Sequence, residues 1–112
     1  VTNSVVANDN NGYEVPEDTT GTISSFDRTL YRGGKILVSL STHDLQYHQM
    51  AEIVVAHNDL TATIETYGVT STSGNTIATF SANIVAGTVY INATTPGWAH
   101  VTAKTISTLI PV

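Results

Sequence analysis

Residues Lys35–Tyr67 read KILVSLSTHDLQYHQMAEIVVAHNDLTATIETY, and the alternation of polar and apolar side chains through them decides the fold. Ile36, Val38 and Leu40 fall on one face of an extended chain, with Ser39 and Ser41 on the other. Leu37 breaks the polar face and is expected to touch a neighbour. Thr42-His43-Asp44 supplies a turn. Gln46 to His57 is the longest extended run, with Ala51, Ile53 and Val55 on one face and Met50, Glu52, Val54 and Ala56 on the other. A helix competes over LQYHQMAEIVVAH, which contains good helix formers. The β-branched triplet Ile53-Val54-Val55 favours the strand, because branching at Cβ restricts χ1 against a helical turn. Asn58-Asp59 is expected to close a two-residue hairpin, since both types tolerate positive φ. The return strand carries Leu60, Ala62 and Ile64 inward and Thr61, Thr63 and Glu65 outward, up to Tyr67.

Upstream, residues 1–20 are rich in Asn, Asp, Thr and Pro and have no periodic apolar face. They read as an arm or linker, with a short strand at Ser4-Val5-Val6 and a loop at Asn8-Asp9-Asn10-Asn11-Gly12. Gly21–Phe26 is a short strand, Asp27-Arg28 interrupts it, and Thr29-Leu30-Tyr31 resumes extended chain. Gly33-Gly34 is a pivot, expected as a bulge or tight turn.

Downstream, residues 69–75 form a loop. Ala78, Phe80, Ala82 and Ile84 then alternate inward, Ala86-Gly87 makes a tight turn, and Val89, Ile91 and Ala93 face inward opposite Thr88, Tyr90 and Asn92. Thr95-Pro96-Gly97 is a third turn. The last strand is expected from Trp98 to about Leu109, with Ala99, Val101 and Ala103 on its inner face. Seven to nine strands spaced about 8–12 residues apart form the pattern of one all-β domain over residues 21–112, an antiparallel β-sandwich of jelly-roll or Ig-like type.

Composition narrows the function classes. Charged residues make up only 12% of the 112 residues and the net charge is −5. A nucleic-acid surface needs clustered Lys and Arg, and only Arg28, Arg32 and Lys35 come near one another, so no nucleic-acid partner is expected. No apolar run approaches a membrane span, and no membrane partner is expected. Thr and Ser fill about a quarter of the chain, as suits strands and turns. There are no cysteines, hence no disulfide and no thiolate metal site. No signal peptide is visible, and the chain is expected to be a fragment of a longer polypeptide.

The residues that could carry chemistry fall into three groups. His43 and His48 flank Asp44, and His57 lies beside Asp59. Residues an odd number apart on a strand point to opposite faces, and no H-x-H or H-E-x-x-H spacing occurs, so no metal site and no cofactor is expected. Glu52 and Glu65 would stand nearly opposite each other across the hairpin, the placement a glycoside hydrolase requires of its two carboxylates. Two solvated acids are the simpler account, and no catalytic residue is assigned. Tyr67, Tyr90 and Trp98, with Tyr47, are the candidate ligand-binding residues, a stacking platform for carbohydrate if they share a surface.

The run from Tyr31 to Pro96 resembles a β-rich domain of virion structural proteins in T4-like tailed bacteriophages, especially those of marine bacteria. The resemblance rests on RGGKILV at Arg32–Val38, EIVVAHND at Glu52–Asp59, IETY at Ile64–Tyr67 and TFSANIVAGTV at Thr79–Val89. It implies a non-enzymatic virion component, in capsid decoration, neck, baseplate or tail fibre, located in the virion. Its implied partners are other virion proteins, further copies of the chain (a trimer by analogy with phage fibres) and a host-surface glycan. A carbohydrate-binding module and, behind it, a small glycoside hydrolase are the competing expectations.

Overall fold

The computed structural model describes residues 5–8, 13–43, 47–72, 74 and 76–112. The loop expected over Asp9–Gly12, and Asp44 beside the histidines, lie outside the described residues. Nine strands occur among the described residues: β1 (Val5–Asn8), β2 (Tyr13–Val15), β3 (Thr20–Asp27), β4 (Tyr31–Thr42), β5 (His48–His57), β6 (Ala62–Ser71), β7 (Thr79–Val85), β8 (Thr88–Thr94) and β9 (Val101–Pro111). They form two antiparallel sheets packed as a sandwich. The larger sheet runs β1-β9-β4-β5-β6, with β2 also on β9, and the smaller runs β3-β8-β7.

The apolar faces read from the sequence are the ones that meet. Ile36, Val38 and Leu40 of β4, Ala51, Ile53 and Val55 of β5, and Val101 and Ala103 of β9 are buried. Against them pack Ile23 and Phe26 of β3 and Val89, Ile91 and Ala93 of β8, with Phe80, Ala82 and Ile84 of β7 partly buried at the margin. Burial of a Val, Ile, Leu or Phe side chain is worth about 1.5–3 kcal/mol, so these two facing sets hold the layers together. Polar contacts also join the layers, Ser24 Oγ with Ser107 Oγ at 3.4 Å and, deeper, a latch made by Gln49. Gln49 is buried, its Oε1 accepts from the Ile77 N–H and its Nε2 donates to the Ala78 carbonyl.

Several local expectations change, among them the loop expected over residues 69–75, because β6 runs on to Ser71. Within the expected arm or linker, the short strand read at Ser4-Val5-Val6 is found as β1 (Ser4 itself lies outside the described residues), and β1 and the unexpected β2 pair with the end and the start of β9, Val5 opposite Leu109 and Val15 opposite Val101. Thr29 and Leu30 belong to a turn, because the Asp27 carboxylate caps the Thr29 N–H at 2.8 Å and the chain folds back. The β5–β6 connection is four residues long, since His57 pairs with Ala62 and the Asn58 Oδ1 accepts from the N–H groups of both Leu60 and Thr61. Leu60 is therefore on the loop and exposed. The last strand starts at Val101, and residues 95–100 form a loop. The turn at Ala86-Gly87 is a true two-residue hairpin with φ of +51° and +84°, the conformation that matches strand twist.

Gly33 and Gly34 lie inside β4, paired on both sides, with a register shift against β9 between Tyr31 and Gly33. A Cβ on Gly33 would run into the Val55 carbonyl oxygen, and one on Gly34 into that of Thr108. The missing side chains leave an apolar groove of about 530 Å³ on the outer face of the larger sheet, beside Val54, Ala56 and Ile110.

Candidate functional site at the β4–β5 and β8–β9 loops

One end of the sandwich gathers the aromatic and titratable side chains. The β4–β5 loop is closed by Thr42, whose N–H donates to the Tyr47 carbonyl at 2.9 Å while its Oγ1 accepts from the Tyr47 N–H at 2.9 Å. The His43 N–H donates to the His100 carbonyl at 3.0 Å and ties this loop to the β8–β9 loop. The segment after β2 is fixed to the same place by buried Thr95, which donates to the Pro16 carbonyl and accepts from the Thr19 N–H. The Asp18 N–H donates to the Pro96 carbonyl at 3.0 Å.

These ties bring Tyr47 and Trp98 into edge-to-face contact, centroids 6.5 Å apart and planes at 86°. Both rings remain partly open, 37% and 44% exposed, so the pair offers solvent an apolar surface with polar edges. Beside it, the His43 and His100 rings stack at 4.0 Å. The Glu14 carboxylate from β2 lies 3.8 Å from His43 Nε2 and 4.0 Å from His100 Nε2. Glu17 reaches His100 Nδ1 at 3.4 Å. The His43 Nε2 is 2.8 Å from Thr102 Oγ1.

Of the residues expected at a ligand site, Trp98 belongs here, joined by Tyr47. Tyr67 sits on the outer face of the larger sheet, opposite Glu52, and Tyr90 alternates with buried Val89 and Ile91 on the outer face of the smaller one. The three do not form one platform: Tyr67 and Tyr90 lie on strands of different layers and Trp98 lies on the β8–β9 loop. His48 lies apart from His43, its Nδ1 on Ser41 Oγ at 3.0 Å. The His57 side chain is fully buried and 3.7 Å from the Asp59 carboxylate, at the opposite end of β5. Glu65 pairs with Val54 and Glu52 with Tyr67, so the two carboxylates are offset along the ladder. Glu52 instead meets Lys35 at 3.5 Å. The grouping of Glu14, His43 and His100 escapes any reading by spacing, since three distant segments supply it. The sequence sets His43 in a turn and His100 on the expected last strand, so nothing local joins them.

No protein-family model and no curated protein matches the chain. Solved structures do. The tailspike protein of Acinetobacter phage vB_ApiP_P1 superposes with a TM-score of 0.51 and 17% identity, covering 97% of this chain and 22% of that one. The tailspike of Acinetobacter baumannii phage AM24 superposes with a TM-score of 0.52 and 12% identity, covering 97% and 26%. The fold is similar to part of two tailspikes. At these identities the likeness is one of fold, and the chain spans about a quarter of the length of either protein.

Proposed function

We propose that the chain is a non-enzymatic structural domain of a bacteriophage tail, of the tailspike or tail-fibre kind, acting through assembly contacts and host-surface attachment. The observation that carries this reading is the fold shared with two phage tailspikes over 97% of the chain. The resemblance of Tyr31–Pro96 to T4-like virion proteins points the same way. Assembly is supported by the outer face of the larger sheet, where Leu37, Val54, Ile106 and Ile110 are exposed. Exposed apolar patches on a sheet mark contact surfaces, and we assign this one to further copies of the chain, three by analogy with phage fibres. Light scattering on the full chain and antibody labelling of purified virions test the reading. An oligomer and labelled tails are expected, while a strict monomer absent from virions overturns it.

The Tyr47–Trp98 pair favours glycan recognition within that role, since sugar C–H faces stack on aromatic rings whose edges bear polar groups. Binding to bacterial surface polysaccharide that is lost in Trp98→Ala is the expected result. Release of new reducing ends from the polysaccharide would replace the binding role by a catalytic one.

A further inference from the structure

We propose that Glu14, His43 and His100 bind a divalent transition-metal ion of the zinc class, which clamps strand β2 to the β4–β5 and β8–β9 loops. Two imidazoles and a carboxylate are a donor set suited to zinc and its first-row neighbours. One ligand atom from each residue lies within 4.8 Å of the others. Two ligand atoms about 2.1 Å from a tetrahedral ion stand roughly 3.4 Å apart, and the Glu14 carboxylate is already 3.8 and 4.0 Å from the two Nε2 atoms. Closure by about half an ångström brings Glu14 within ligation spacing of each Nε2.

The His100 ring supplies a second, independent observation. Its Nε2 is buried and has no hydrogen-bond partner, while Nδ1 faces the Glu17 carboxylate. With Nδ1–H turned to Glu17, Nε2 carries the lone pair. That nitrogen meets no donor and lies 4.0 Å from the Glu14 carboxylate, and a cation between them satisfies both. A carboxylate on the far ring nitrogen is also the contact that orients and strengthens metal-ligating histidines. Glu14 and His43 are exposed, which gives the ion an entry path and a remaining position for water. Ligation requires the stacked rings to rotate so that their lone pairs converge, and His43 Nε2 to leave Thr102 Oγ1. Both are side-chain torsions, His43 at the surface and His100 half-buried.

The test is calorimetric titration of the full chain with zinc chloride at mildly alkaline pH, where protons compete least, with visible absorption of the cobalt(II) form. One zinc per chain is expected, with a thermal midpoint that rises with zinc and not with magnesium or calcium. His43→Ala and His100→Ala each abolish binding, and Glu17→Gln weakens it about 10- to 100-fold. His48→Ala, outside the cluster, binds as the parent chain does. Should a variant fail to fold, histidine-ring NMR on the parent chain decides: zinc shifts the His43 and His100 resonances and leaves those of His48 and His57. No binding at millimolar zinc, undiminished binding in folded His43→Ala and His100→Ala, or shifts confined to His48 overturns the proposal.

Discussion

The buried His57 imidazole donates from Nε2 to the Tyr31 carbonyl at 2.7 Å. A carbonyl only accepts, so this contact fixes the tautomer, and Nδ1 is left to accept from the Asp59 N–H at 3.0 Å. One ring thus joins the start of β4 to the loop that ends β5, packed against Phe26 at 6.0 Å. Replacing it by Ala strands two backbone groups and opens a cavity. His57→Ala is expected to cost about 3 kcal/mol, read from urea midpoints, and His57→Gln less, because it keeps a donor and most of the volume.

Gly33 and Gly34 hold β4 against the backbones of both neighbours. Gly33→Ala or Gly34→Ala pushes a methyl into a carbonyl oxygen of Val55 or Thr108, and each is expected to lose about 3 kcal/mol. Gly97→Ala, with open space around its Cβ, stays within about 0.5 kcal/mol. Thermal unfolding of the three variants side by side is the measurement.

Gln49→Leu removes the polar latch to Ile77 and Ala78 and leaves a buried N–H and carbonyl unpaired. A loss of about 2 kcal/mol is expected. Amide exchange at Ile77 should rise more than at Ile91 in the centre of the smaller sheet, because the lesion lies at the crossing between layers.

Asp27 gives the acid limb a specific contributor. Its carboxylate accepts from the Thr29 Oγ1 at 2.7 Å and the Thr29 N–H at 2.8 Å, and these bonds hold its pKa below the ordinary 3.8, with a smaller contribution from Arg28. The folded state favours the charged form. Its stabilisation is therefore complete above the unfolded value near 3.8 and disappears as pH falls through the lower folded value. Asp27→Asn should be less stable than the parent chain at neutral pH, and the gap should narrow toward about pH 3. Urea midpoints across that range check the sign.

Trp98 is the single tryptophan, so its fluorescence reports on the proposed glycan end directly. Trp98→Ala is expected to cost at most about 1.5 kcal/mol, the range of an aromatic pair, while removing polysaccharide binding. Tyr47→Phe should leave the edge-to-face contact and stability intact. A Trp98 emission unchanged by saturating polysaccharide would count against this end as the contact surface.

Period-two alternation made most of the sandwich legible, because each half-buried strand writes its inner face into the sequence. Ile36, Val38 and Leu40, or Val89, Ile91 and Ala93, could hardly pack otherwise. Alternation is silent where strands are short or turns are held by side chains. Hence β2 looked like a linker, although Val15 is buried, and the Asn58 side chain lengthened a turn that backbone propensity alone would have made shorter. The site was less legible for a related reason. Tyr67 and Tyr90 lie on strands of different layers, and Trp98 stands at the loop end. Glu14, His43 and His100 meet through hydrogen bonds made by Thr95 and by the His43 backbone, contacts that no local pattern encodes.

Strand β9 is among the last residues of this stretch to be synthesised, yet it lies inside the larger sheet, between β1 and β2 on one edge and β4 on the other. Until it leaves the ribosome, β4 has an open edge and the two earliest strands have no partner. The sheet therefore closes from the middle and late, by pairings between the two ends of the sequence. Such distant pairings place folding in the slow regime of all-β domains, and the unfinished β4 edge is the surface that a chaperone, or a neighbouring nascent copy, would meet first.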